Sequence, residues 1–180
     1  MKERIHIFGA SGSGTTTIAE MAGERLGYTC FDADNYFWLQ TDNPFTVERE
    51  REQCLKLMRN DLAKQNKWIL SGSIADWGNT LIPYFDLVVF VYVPPDIRLE
   101  RLKKRECVRY GDEILVGGTR YKESNVFLDW AASYDEGTGI GRSLEKHETW
   151  LKNIECPTVR IINNVLDDSV NAVINVIKCD

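Results

Sequence analysis

At 180 residues the chain is about one domain by the usual ~150 residues per domain, and a fold of that size buries roughly 70% of the surface its unfolded form exposes. Its 22 Lys and Arg against 27 Asp and Glu leave a net charge of −5 with no long charge blocks, which argues against a general nucleic-acid binder. With 43% apolar and 11% aromatic residues the chain is not disordered, and its longest apolar run, Leu87–Val93, is too short to span a membrane.

Short β-rich runs alternate with longer helical stretches, the pattern of a parallel sheet covered by helices. The first strand is read at Ile5–Phe8, followed by a helix from about Thr16 to Leu26 with Gly27 as its stop. Tyr28–Phe31 reads as a second strand, and the aromatic, polar stretch Asp34–Pro44 as irregular. A charged helix is expected from about Thr46 to Gln65, with Thr46 as its N-cap. Trp68–Leu70 is a third strand ending in Ser71-Gly72-Ser73, and Leu87–Val93 a fourth, stopped by Pro94-Pro95. Asp96 is then read as capping a helix that carries Arg98, Arg101 and Arg105, with Leu99 and Leu102 turned to the core. Six glycines between 111 and 141 interrupt one or two further helices, before a fifth strand, Thr158–Ile162, and a last amphipathic helix with Val170, Val173, Ile174 and Ile177 on one face.

The five cysteines (Cys30, Cys54, Cys107, Cys156 and Cys179) are odd in number, with no C-x-x-C pair, and read as small apolar fillers. Only His6 and His147 could join them, so no structural metal site is expected. The opening MKERIHIFGA lacks the apolar stretch of a signal peptide, and a cytoplasmic chain is expected.

Between the first strand and the first helix lies Gly9-Ala-Ser-Gly-Ser-Gly14-Thr15-Thr16, which follows the phosphate-loop pattern G-x-x-x-x-G-K-[ST] except that Thr15 stands where lysine is expected. Such a loop turns successive backbone N–H groups towards a phosphate chain, which glycine permits, and the helix start adds its positive dipole end. Gly9, Ser11, Gly12, Ser13, Gly14, Thr15, Thr16 and Thr17 are therefore the candidate nucleotide-binding residues, with the Thr16 hydroxyl placed to ligate Mg²⁺. The dinucleotide fingerprint G-x-G-x-x-G does not match, because threonines follow Gly12-Ser-Gly14.

GASGSGTTT, FDADNYFW, ILSGS and RLERLKKRE together resemble the adenylate-kinase-like P-loop kinases, small nucleotide and metabolite kinases that are often called AAA-family ATPases. The resemblance implies one three-layer α/β domain, with a five-stranded parallel sheet in the order 2-3-1-4-5 flanked by helices. It implies a core at about 1–31, 66–105 and 155–180, a substrate-side insertion at 32–65 and a mobile lid at 106–150. It also implies ATP and Mg²⁺, a small-molecule acceptor, no membrane, and a monomer or homodimer. The chain departs from that pattern twice. Thr15 removes a charge that in the family bridges the transferred phosphate, and Ser71-Gly72 stands where relatives often carry Asp-Gly.

Asp32 and Asp34 follow the second strand two residues apart, at the carboxyl edge where open parallel sheets bind ligands. One suits a proton acceptor and the other a metal ligand, with Asp32 assigned to the metal. The alternative use of Asp34 is an Asx turn or helix cap. Arg101 and Arg105 resemble the lid-base arginines that embrace ATP phosphates, and Arg142, like Arg109 and Arg120, lies in the lid and can answer for the missing lysine. The bland alternative for these arginines is a solvated helix face. Tyr36, Phe37, Trp38, Phe45 and Trp77 read either as an acceptor-binding surface or as the core of a small subdomain, and Arg49 and Arg51 either grip an acceptor phosphate or pair with neighbouring glutamates. The expected activity is transfer of the ATP γ-phosphoryl group to a nucleoside monophosphate or small hydroxyl metabolite. The alternative is a nucleotide-binding sensor with degenerate catalysis, and an ATPase motor ranks third.

Overall fold

Alternate residues of the first strand face opposite ways, and both faces find apolar cover. A computed structural model of the chain describes residues 1–179. Its elements in order are β1 (Arg4–Gly9), α1 (Thr15–Leu26), β2 (Thr29–Asp32), α2 (Ala33–Phe37), α3 (Arg51–Leu62), β3 (Trp68–Ser71), β4 (Leu87–Tyr92), α4 (Pro95–Tyr110), α5 (Tyr121–Ala132), α6 (Leu144–Leu151), β5 (Thr158–Ile162) and α7 (Leu166–Lys178). Single 3₁₀ segments lie at Asn79–Tyr84 and Gly111–Ile114. The strands form one parallel sheet in the order β2-β3-β1-β4-β5. Among the described residues no helix is long and apolar enough to cross a membrane.

Ile5 and Ile7 of β1, with Leu87, Val89 and Val91 of β4, pack under α1 and α7. Phe8, Val88 and Phe90 point the other way, against Met58 and Leu62 of α3 and Trp150 and Leu151 of α6. That two-residue period with both faces covered is why the strands read as near-continuous apolar runs.

Several expected boundaries move, each for a local reason. The helix expected from Thr46 begins at Arg51, capped by the Glu50 carboxylate, which accepts from Gln53 N at 2.9 Å. Thr46 instead donates to the Asn43 carbonyl at 2.6 Å, while Leu39 N bonds Val47 O and Arg49 N bonds Phe37 O, so 38–49 folds back on itself. Within the stretch read as irregular, Ala33–Phe37 forms a short helix because Asp32 caps it. Pro94 rather than Asp96 occupies the N-cap of α4, with Pro95 at N1 where its missing N–H costs nothing. The segment counted with the lid ends in α6, whose His147, Trp150 and Leu151 are buried in the core. Cys54 is buried as expected of a filler, but Cys107 and Cys179 are exposed.

Two histidines sit inside this core. His6 stacks between Phe8 and Phe85, at centroid distances of 5.3 and 4.9 Å, with Nδ1 3.0 Å from the Leu70 carbonyl. His147 bridges Ser73 Oγ (2.9 Å) and Tyr134 Oη (2.8 Å). Burial lowers His6 to about 4, with the bond to Leu70 opposing. Burial also lowers His147 to about 3, helped by the positive charge of Arg142. Below pH ~6.5 the unfolded imidazoles take up protons that the folded ones refuse, so stability falls as pH drops. Urea unfolding at successive pH values is predicted to lose about 1.4 kcal/mol per pH unit per histidine from pH ~6 towards 4, and His6→Phe is predicted to remove about half of that slope.

Candidate functional site

At the carboxyl edge of β1 the chain turns through Ala10–Gly14 into α1. Gly12 and Gly14 take φ of +82° and +83°, values that a side chain would strain, and Gly9 lies so close to β4 that a Cβ would sit 2.3 Å from the Val91 carbonyl. Ser13 closes the turn: its N–H and its hydroxyl both bond the Ala10 carbonyl, at 3.1 and 2.7 Å, and its side chain is buried. Ser13 thus shapes the loop with its hydroxyl turned inward. Ser11, Thr15 and Thr16 are half-buried and Thr17 is exposed at the mouth and first turn.

The Thr16 hydroxyl donates to Asp32 Oδ2 at 2.8 Å, while Asp32 Oδ1 accepts from Asp34 N at 2.9 Å. One carboxylate therefore caps α2 and grips the first turn of α1. Gly72, φ +88°, brings the loop after β3 against it; a Cβ there would approach Asp32 Oδ1 to 3.4 Å. Thr16 and Asp32 present hard oxygen donors side by side at the mouth of the phosphate loop, which fits Mg²⁺ completed by phosphate oxygens and water.

Asp34 faces the same cleft, with Oδ1 3.6 Å from an Arg142 nitrogen. Burial raises its carboxyl above the usual carboxylate range; Arg142 opposes that shift, and the charge of Asp32 reinforces it. Arg105 also feels Asp34. Its own pKa is lowered by burial and by Arg109, its Nε is buried with no hydrogen-bond partner, and its nearest carboxylate, Glu106, is 4.0 Å away. An under-paired guanidinium in a cleft is a ready anion contact. Arg101 does not join it: its Nη2 donates to the Asn163 carbonyl at 3.0 Å, beyond β5. Arg98, Arg101 and Arg105 do not share one face of α4, because Arg98 lies inside with Leu102 and Glu106, fully buried and paired with Asp135.

On the insertion side Phe37 meets Trp38 (4.9 Å) and Trp77 (5.6 Å), and Trp38 meets Phe45 (6.3 Å), so these expected aromatics do gather. Tyr36 is instead a core residue whose hydroxyl bonds Asp61. Arg49 is anchored by Nε on the Tyr36 carbonyl at 2.8 Å, whereas Arg51 is exposed. Arg109 of α4 lies 5.0 Å above the Phe45 ring, and Arg120 is bonded to Asn43.

Asn163 was not singled out in the sequence. Its Nδ2 holds the Ser13 carbonyl at 2.9 Å, and its Oδ1 accepts from Ser169 at 3.0 Å. The only signal was a polar pair, Asn163-Asn164, closing an otherwise apolar strand end.

The AAA domain family matches residues 5–118, well over half of the chain. The chain belongs to that family. It is 48% identical over 171 residues to the uncharacterized protein YqaC of Bacillus subtilis (strain 168), covering 95% of this chain and 93% of that protein. It is 29% identical over 114 residues to a cytidylate kinase of Archaeoglobus fulgidus, covering 57% and 62% respectively. The crystal structure of shikimate kinase from Bacteroides thetaiotaomicron superposes with a TM-score of 0.55 at 18% identity, over 99% of this chain and all of that one, which establishes the P-loop kinase fold. Of these, the cytidylate kinase and the shikimate kinase are small-molecule kinases by name, and YqaC is uncharacterized.

The double role of Asp32 yields a stability test. Asparagine keeps an acceptor for the cap but gives up the charged acceptor of the Thr16 hydroxyl, so Asp32→Asn is predicted to lose about 1 kcal/mol in urea. Asp32→Ala, which loses the cap and the Thr16 bond together, is predicted to lose about 2 kcal/mol.

Proposed function

We propose that the protein is a small-molecule kinase that moves the γ-phosphoryl group of Mg²⁺-ATP to an acceptor hydroxyl. The observation that carries this reading is the 2.8 Å bond between Thr16 and Asp32 at the mouth of a loop whose two left-handed glycines shape it for phosphate. In this reading the loop 9–17 holds the polyphosphate through main-chain N–H groups and the start of α1. Thr16 and Asp32 would hold Mg²⁺, which would neutralise charge on the phosphates. Asp34, a carboxylate with raised proton affinity, takes the proton of the acceptor hydroxyl. The acceptor oxygen bonds to the γ-phosphorus as the bond to the β–γ bridging oxygen breaks, and ADP leaves. Arg105 and Arg142 balance the charge that develops, in the absence of a lysine at Thr15. Arg101, held at the β5 end, lines the nucleotide side rather than the reacting centre. The aromatic cluster around Trp38 and Trp77 and the anchored Arg49 suit an acceptor with a flat or ring-shaped body and an anionic group.

Thr15 favours a second reading, a nucleotide-binding sensor with little turnover. An acceptor panel of nucleoside monophosphates and hydroxy acids, assayed with Mg²⁺-ATP, separates the two. The kinase reading predicts ADP release stimulated by one acceptor class, about 10²-fold or more slower in Asp34→Asn, and raised about 10-fold or more by Thr15→Lys. ATP binding without turnover for every acceptor, in both the parent and Thr15→Lys, would establish the sensor instead.

A further inference from the structure

Behind the phosphate loop lies a charged side chain in a place where a helix normally presents an apolar one. Arg98 has no solvent exposure. It occupies the same stripe of α4 as Leu102, and the two back the loop: a Cβ on Gly12 would lie 2.9 Å from both the Arg98 carbonyl oxygen and Leu102 Cγ. The Arg98 guanidinium reaches three partners on two elements. Nη1 donates to the Ser11 carbonyl at 3.4 Å and to the Ala131 carbonyl of α5 at 3.0 Å, and Nη2 pairs with Asp135. The Tyr134 ring covers it at 5.0 Å.

A peptide unit is planar and trans, so its C=O and N–H point in opposite directions. Arg98 holds the Ser11 carbonyl towards α4, which aims the N–H of Gly12 away from α4. Asn163 Nδ2 does the same to the Ser13 carbonyl at 2.9 Å and so aims the N–H of Gly14. The loop is therefore gripped from outside at alternate carbonyls, and the N–H groups of Gly12 and Gly14 point away from those grips, as an anion-binding nest requires. Arg98 differs from Asn163 in two respects. Its charge draws electron density towards the Ser11 oxygen, which makes the Gly12 N–H a stronger donor. Its other contacts, Ala131 and Asp135, belong to the lid segment.

We propose that Arg98 is a positioning residue for the nucleotide. It sets the Ser11–Gly12 peptide with its N–H towards the polyphosphate, and makes that setting depend on the lid segment through Ala131 and Asp135. The inference rests on the nucleotide-binding reading above and adds to it a residue outside the ligand's reach.

The test is calorimetric titration of Mg²⁺-ATP into the parent, Arg98→Met, Arg98→Lys, Asp135→Asn and Arg4→Met, with the thermal midpoint of each measured alone. Arg4→Met breaks the Arg4–Asp86 pair at the opposite end of the sheet and serves as the control for lost stability. Arg98→Met is expected to weaken ATP about tenfold or more, Arg98→Lys to recover part of the loss, and Asp135→Asn to weaken ATP about threefold or more. Arg4→Met is expected to bind as the parent does despite its lowered midpoint. ATP affinity within twofold of the parent in folded Arg98→Met overturns the inference; should that variant not fold, the same result in Asp135→Asn does so. Equal weakening in Arg4→Met also overturns it, by reducing the effect to stability. A parent that does not bind Mg²⁺-ATP at all defeats the kinase reading itself, a result distinct from any of these.

Discussion

The carboxylate of Asp32 joins two parts of the chain that sequence keeps 16 residues apart. One oxygen begins α2 by accepting from Asp34 N; the other takes the hydroxyl of Thr16 in the first turn of α1. A hydrogen bond to a charged acceptor contributes about 1.5–3 kcal/mol net, which is enough to hold the mouth of the phosphate loop against the end of β2. The consequence is positional: Asp34, displaced by the cap into the first turn of α2, faces the cleft and meets Arg142. Without that shared carboxylate the loop, the second aspartate and the lid arginine would have no common reference.

The sheet supplies the rest of the frame. With β1 central and every strand parallel, all carboxyl ends open on one side, so the loop after β1, Asp32 at the end of β2 with Asp34 beyond it, Gly72 after β3 and Asn163 after β5 converge without any long-range instruction beyond strand order. Charge is arranged in layers around that edge. The acidic pair lies at the loop mouth, Arg105 and Arg142 across from it, and Arg98 behind the loop inside the protein. The segment 106–150 also contacts the segment 32–65 directly, through Arg109 on Phe45 and Arg120 on Asn43.

What the sequence made legible was local. The strand–loop–helix at 4–26 carries its own pattern of apolar run, glycines and helical spacing, and the buried strands carry theirs, so strands and loop could be placed, whereas the sheet order came only from the resemblance to P-loop kinases. Features whose partners lie far along the chain could not. Thr46 has the chemistry of a helix cap, but the Asn43 carbonyl and the pairing of Leu39 with Val47 hold it elsewhere. Arg98 looks like one member of an exposed basic face until Asp135, 37 residues on, draws it into the core. Arg101 matches the pattern of a phosphate clamp yet is held by the backbone of Asn163. Spacing reports which side chains share a helix face; it does not report what waits opposite that face.

The claim most exposed to refutation is that the turn leaving β1 binds a polyphosphate by its main chain while Thr16 and Asp32 take the metal. A crystal grown with Mg²⁺ and a non-hydrolysable ATP analogue tests it directly. The account predicts triphosphate density inside residues 9–17, with a cation held by Thr16 and Asp32. Nucleotide density elsewhere on the molecule, with the Thr16–Asp32 bond intact and the loop unvisited, would contradict it.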